Sequence, residues 1–185
     1  DNNSYLSILR GGKANLDMRM RREILKFVED FRSYYVEKNV TALDQIFSDD
    51  ALIITGRVIQ TMGKSQTDGI SQQTKEKVIF SKQSKLQYIS HLKTLFKSTE
   101  YINVDFSEIE LMRHGSNPNS YGVRLRQKWA SQRYSGSQYS DDGYVFLLWD
   151  FSDQMEPKVL VRTWTPKQSG KKGDDFAPED FFIPR

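Results

Sequence analysis

The 185-residue chain contains no cysteine and only two histidines, His91 and His114. The first absence excludes a disulfide framework, a thiolate nucleophile and a cysteine-ligated zinc site. The second leaves a metal centre dependent on both imidazoles together with carboxylates, and no spacing in the chain brings them together. Glycines are sparse where phosphate loops need them: Gly11-Gly12 and Gly170 to Gly173 stand apart from any recognised phosphate-binding pattern. No elbow motif presents a serine nucleophile, and neither histidine has an orienting partner in sequence. No stretch approaches the roughly 18 consecutive apolar residues of a membrane-spanning helix. Charge of one sign is lacking too, since 27 Lys and Arg oppose 24 Asp and Glu for a net charge of +3.

What the chain does have is aromatic side chains. Eleven Phe, nine Tyr and three Trp give an aromatic share of 12%, enough for a real core in one domain. The mean hydropathy of −0.64 is low, so polar appendages must dilute that core. Basic residues gather in Arg10 to Lys26 and again at Arg124, Arg126, Lys128 and Arg133. With a pI near 9.0, such faces permit contact with nucleic acid or anionic lipid without requiring it, and nucleic acid is not expected as a partner. The chain opens on Asp1 rather than Met. A removed leader, and hence a periplasmic or other extracytoplasmic location, is expected ahead of a cytoplasmic one.

Along the chain, residues 1–16 read as a loosely held arm. Asp17 caps a helix from Met18 to Lys38, whose Ile24, Val28, Phe31 and Tyr35 recur at helical spacing. Phe27 and Tyr34 widen that stripe, and Asn39 ends the helix. Thr41 then caps a short helix from Ala42 to Phe47. Ser48-Asp49-Asp50 breaks it before a strand from Ala51 to Thr55, closed by Gly56. Residues 61–75 read as a loop, Lys77 to Phe80 as a short strand, and Ser84 to Phe96 as a helix with a Leu86, Ile89, Leu92, Leu95 and Phe96 stripe.

Thereafter the period changes to two. Tyr101 to Met112 alternates with a slip that predicts a bulge. Tyr121 to Trp129 places Val123, Leu125 and Gln127 on one face and Arg124, Arg126 and Lys128 on the other. The loop at 135–143 leads to an apolar strand from Tyr144 to Phe151, and Val159 to Thr165 pairs back on it. The order predicts an α+β fold in which a curved, mostly antiparallel sheet wraps the N-terminal helices. The domain spans residues 17–166. Residues 167–185 form a polar linker and an apolar tail (Phe176, Phe181, Phe182 and Ile183) that is expected to dock back on the domain.

The stretch Phe31-Arg-Ser-Tyr-Tyr-Val-Glu-Lys-Asn-Val-Thr-Ala-Leu-Asp-Gln-Ile-Phe-Ser-Asp-Asp-Ala51 resembles the opening of the nuclear transport factor two-like superfamily. That superfamily includes ketosteroid isomerases, SnoaL-like polyketide cyclases and many binding domains. The resemblance covers residues 17–166 and implies a cone-shaped sheet with a pocket inside. It also implies a homodimer through the outer sheet face. In isomerase-type members a general-base Asp would fall at Thr55 and a phenolic donor near Phe31. Neither residue here can fill those roles.

Three functional readings follow. The first is a non-catalytic domain that binds a small hydrophobic ligand or a protein, with no cofactor and no metal. Its pocket candidates are Phe27, Phe31, Tyr34, Tyr35, Thr55, Trp129, Trp149 and Trp164. The second is a SnoaL-like isomerase, cyclase or hydratase using Asp150 with Tyr144, provided that Asp150 faces an open cavity beside a hydroxyl donor. A third, polyanion binding, would use the basic face of Arg124, Arg126, Lys128 and Arg162. Asp49 and Asp50 are expected to hold backbone N–H groups of the turn. His91 is placed at the edge of a helix face and His114 in a solvent-facing turn.

Overall fold

The computed structural model describes residues 17–62 and 74–167. The expectations for the arm, most of the 61–75 loop and the C-terminal tail lie outside them. Helix α1 runs from Met18 to Val36 and buries Ile24, Val28, Phe31 and Tyr35 on one side. The Asp17 side chain accepts from the Arg19 N–H at its start, which supplies one of the acceptors that the first turn lacks. The helix stops before Lys38, whose φ of 56° is left-handed. Asn39 is therefore not its terminator. It caps helix α2 (Val40–Ile46) instead by accepting from the Ala42 N–H, a role expected of Thr41.

Strand β1 (Phe47–Met62) is far longer than its β-branched run. It includes Asp49 and Asp50, so these do not cap a turn. Asp49 pairs with Lys85 at 3.0 Å, and Asp50 accepts from the Ser48 hydroxyl. The strand also runs through Gly56, because that glycine makes room for a neighbour rather than a turn. A Cβ there would lie 2.1 Å from the Trp164 ring, and one at Gly143 would lie 2.4 Å from the same indole nitrogen. Strand β2 (Thr74–Gln83) pairs with β1 along its whole length.

Helix α3 (Lys85–Ser98) begins with a reciprocal Ser84–Gln87 capping box. Its buried face is Tyr88, Ile89, Leu92 and Phe96. Leu86, counted into that face from sequence, is 82% exposed. Strands β3 (Thr99–Arg113), β4 (Ser120–Arg133), β5 (Gln138–Asp150) and β6 (Lys158–Pro166) follow. The predicted bulge is present in β3, where register shifts between Ser107 and Glu110 and Glu108 adopts a φ of 51°. Strand β5 begins inside what reads as a loop, since Tyr139 and Asp141 continue the ladder opposite Ser131 and Trp129.

The strand order is β2-β1-β6-β5-β4-β3, with only β1 and β6 parallel. The sheet is curved and unclosed, and the three helices lie on its inner side. Val145, Leu147 and Trp149 from β5 meet Phe31 and Val28 from α1 in one core. Phe27, Phe31, Trp149 and Phe151 interlock there with ring centroids 5.8 to 6.2 Å apart. That aromatic plug fills one end of the cone, at the finish of β5. No helix among the described residues is long and apolar enough to cross a membrane.

Candidate functional site

The opposite end of the cone is open. A cleft of about 810 Å³ lies where β3 and β5 start and β4 and β6 finish. Val36, Val58, Val104 and Trp129 give it an apolar wall, while Arg32, Asn103, Lys128 and Asp141 bring polar groups. Arg32 is fixed by Glu29 and by the Val104 carbonyl at 3.1 Å. The guanidinium hydrogen-bonds the Glu29 carboxylate and holds it below its usual range.

Asp141 is the chemically distinctive member of this wall. Its Oδ2 accepts from the Tyr139 hydroxyl at 2.7 Å, and its buried Oδ1 has no partner among the described residues. Burial raises its pKa, against the Tyr139 hydrogen bond and the Arg162 charge. The Tyr139 phenol is pushed well above its own range by burial. It stays protonated and also accepts from the Val58 N–H at 3.2 Å.

Behind Trp129 sits a second polar group. The Trp129 ring packs edge-on against Tyr35 at 5.9 Å. Tyr35 and Tyr88 share a 2.6 Å hydrogen bond between hydroxyls. Arg162 Nη1 donates to Tyr35 at 3.0 Å and to Tyr88, and Nη2 reaches Gln127 Oε1 at 3.4 Å. The guanidinium carbon lies 5.1 Å from the centre of the Tyr35 ring, 5.7 Å from Tyr88 and 5.8 Å from Phe31. Burial opposes the charge, but Tyr35, Tyr88 and Asp141 outweigh it, and Arg162 stays protonated. No carboxylate among the described residues lies within ion-pair distance of it.

The sequence-predicted residues therefore divide. Of the pocket candidates, Trp129 lines the cleft. Phe31, Tyr35 and Trp149 are fully buried, Phe27 joins the aromatic plug, and Trp164 lies over Gly56 and Gly143. Tyr34 is half-buried against the core. Thr55 accepts from Gln83 Nε2 at 2.9 Å, outside the cleft wall. On the basic face, Arg124 pairs with Glu110 and Arg126 with Asp142. Lys128 belongs to the cleft rim.

Arg162 is not on that face. It stands opposite Leu147 in the β5–β6 ladder, and residues directly opposite across a ladder share a face. Leu147 points inward, so Arg162 does too, and it is only 6% exposed. Charge pattern alone suggested the outer surface; register decides otherwise. Asp150 and Tyr144 do not meet in a cavity either. Asp150 accepts from the Ser152 N–H and hydroxyl as a local turn cap, and Tyr144 stands across from Arg126 on the outer face. His114 is buried rather than solvent-facing, its Nδ1 accepting from the Ser116 and Asn117 N–H groups. His91 contacts Gln83.

Sequence reasoning missed Asp141, Tyr139 and Tyr88. The first two fell in a segment with loop composition. An alternation count carried back from Trp149 would have put both on the inner face.

No family model matches the chain, and no curated protein matches it in sequence. Solved structures do. It is similar to a nuclear transport factor 2 (NTF2-like) superfamily protein from Salmonella enterica, with a TM-score of 0.57, 11% identity and coverage of 84% of this chain and 96% of that one. It is likewise similar to a Novosphingobium aromaticivorans protein named "Putative Scytalone Dehydratase", with a TM-score of 0.60, 12% identity and coverage of 82% and 86%. Bd1075 from Bdellovibrio bacteriovorus matches at a TM-score of 0.56 and 17% identity, over 80% of this chain. The chain spans 42% of the length of Bd1075. The helices that precede and interrupt a curved, unclosed sheet, and the open cone end they leave, give this chain the nuclear transport factor 2-like, cystatin-like α+β fold.

Proposed function

We propose that this chain is a small-molecule-binding domain whose ligand enters the open end of the cone. The observation that carries the reading is the 810 Å³ cleft itself, within the size range of ligand sites, where Val36, Val58, Val104 and Trp129 stand among charged groups such as Arg32, Asp105, Lys128 and Asp141. Trp129 in that wall is a built-in reporter. Titration with a panel of drug-sized aromatic compounds should change tryptophan emission and raise the melting temperature. Replacing Trp129 with Ala should weaken both responses. A panel that changes neither removes the reading.

Asp141 favours a second reading, a SnoaL-like enzyme acting on a hydrophobic substrate. The arrangement asked of Asp150, a carboxylate at a cavity beside a hydroxyl donor, is supplied by Asp141 with Tyr139, and burial raises the Asp141 pKa. Such a pair can move a proton to or from a bound substrate. The dehydratase name of one structural neighbour adds a reaction class to try. Asp141→Asn should abolish turnover while leaving ligand binding intact; equal turnover in that variant would end the enzyme reading. The proposal also keeps an extracytoplasmic location and a homodimer through the outer sheet face. Sedimentation equilibrium at micromolar concentration tests the dimer, and a monomer there contradicts it.

A further inference from the structure

Arg162 is a buried cation whose surroundings supply too few acceptors. A guanidinium carries five N–H donors. Three of its hydrogen bonds go to Tyr35, Tyr88 and Gln127. The Nε–H has no partner among the described residues, and the second Nη2 hydrogen has none either. The Tyr35 and Tyr88 hydroxyls satisfy one another once, so one hydroxyl proton of the pair is also unmatched. Burial raises the Tyr35 phenol well above its ordinary range, so it stays neutral and keeps that proton. Among the described residues the cluster is therefore a net positive, donor-rich site with no counter-ion within contact.

Such an arrangement is costly unless something answers it, because a buried charge is ordinarily paired and hydrogen-bonded. Asp141 acts on Arg162 through its field, and its Oδ2 is already taken by Tyr139. Three aromatic faces surround the guanidinium carbon. They shield it from water without neutralising it. Trp129, which lines the cleft, packs edge-on against Tyr35 and so stands between the cleft and the cluster.

We infer that the Arg162–Tyr35–Tyr88 cluster is the seat for a carboxylate group of an aromatic acid that enters through the cleft. One carboxylate oxygen takes the Arg162 Nε–H and the other the free Nη2 hydrogen, a two-point match to guanidinium geometry. The unmatched tyrosine proton adds a third donor. The ring of the acid trails toward the cleft and displaces Trp129 from Tyr35. This deepens the small-molecule reading and rests on it.

The test uses the whole chain at fixed ionic strength, with sodium acetate, benzoate and indole-3-acetate, and with benzamide as the uncharged counterpart of benzoate. Melting temperature and tryptophan emission are followed against sodium chloride. Benzoate should bind at least about tenfold more tightly than benzamide, the margin expected for charge-assisted hydrogen bonds. Arg162→Met should remove that preference, and Tyr88→Phe should reduce it. Because the benzoate and benzamide comparison is made on the native chain, it stands even if Arg162→Met does not fold. If benzoate and benzamide bind equally, the carboxylate seat is wrong while the small-molecule reading survives. If none of the four compounds acts differently from chloride, both fail.

Discussion

Arg162 Nη1 lies 3.0 Å from the Tyr35 hydroxyl, linking the last described strand to the first helix through the inside of the cone. The contact is structural before it is functional. It positions a cation with two phenols and leaves donors free beside them.

That contact should be measurable in stability. Tyr35→Phe removes one acceptor from a buried guanidinium and one partner from Tyr88. The cost is expected to be about 1–3 kcal/mol, read by urea unfolding at neutral pH. A change well under that range would mean that Arg162 is satisfied by other groups.

The two glycines around Trp164 provide a packing test. Gly56→Ala puts a Cβ 2.1 Å from the ring, and overpacking of this kind costs about 1–3 kcal/mol. In a Trp164→Leu background that penalty should shrink sharply. If the alanine costs the same in both backgrounds, the strain lies in the backbone and not against the indole.

Helix α3 allows a sharper comparison. Leu86→Ala should change stability by no more than about 0.5 kcal/mol, as for an exposed site. Leu92→Ala, by contrast, should cost about 2–5 kcal/mol, since Leu92 is buried. Thermal unfolding of the two variants decides the helix face.

Asp141 should leave a signature in the pH dependence. Below the ordinary carboxyl value of about 3.9, the group is protonated in both folded and unfolded chains and favours neither. Its folded pKa is raised, chiefly by burial. As pH climbs past the unfolded value, the unfolded chain releases its proton first and stability falls until the folded carboxyl ionises. Asp141→Asn removes that loss and can still accept from Tyr139. The unfolding free energy of the variant should therefore gain on that of the native chain through this window and run parallel above it. Parallel curves from pH 3.5 upward would show that the Asp141 carboxyl is not raised.

How much was legible beforehand follows from these residues. The α1 stripe, the β3 bulge and the meander were readable because alternation and helical spacing are local and their burial agrees with them. The motif ending in Asp49-Asp50-Ala51 pointed to the fold, although those aspartates lie in a strand. Leu86 misled because one extra leucine widens a stripe without being buried. The site was less readable. Arg162 reads as surface by charge, and only the ladder opposite Leu147 turns it inward. Tyr139 and Asp141 sit among serines, glycine and glutamine that carry a loop signal. Their pairing partners, Ser131 eight residues and Trp129 twelve residues away, decide for strand.

The most direct measurement is a crystal structure of the full chain soaked with 4-bromobenzoate, using anomalous scattering to place the bromine. The carboxylate should lie within hydrogen-bond distance of Arg162 Nε, with the bromine toward the cleft and Trp129 moved off Tyr35. A bromine peak only on the outer sheet face, or a carboxylate held at the Lys128 rim with the Arg162 cluster unchanged, would contradict the proposed site.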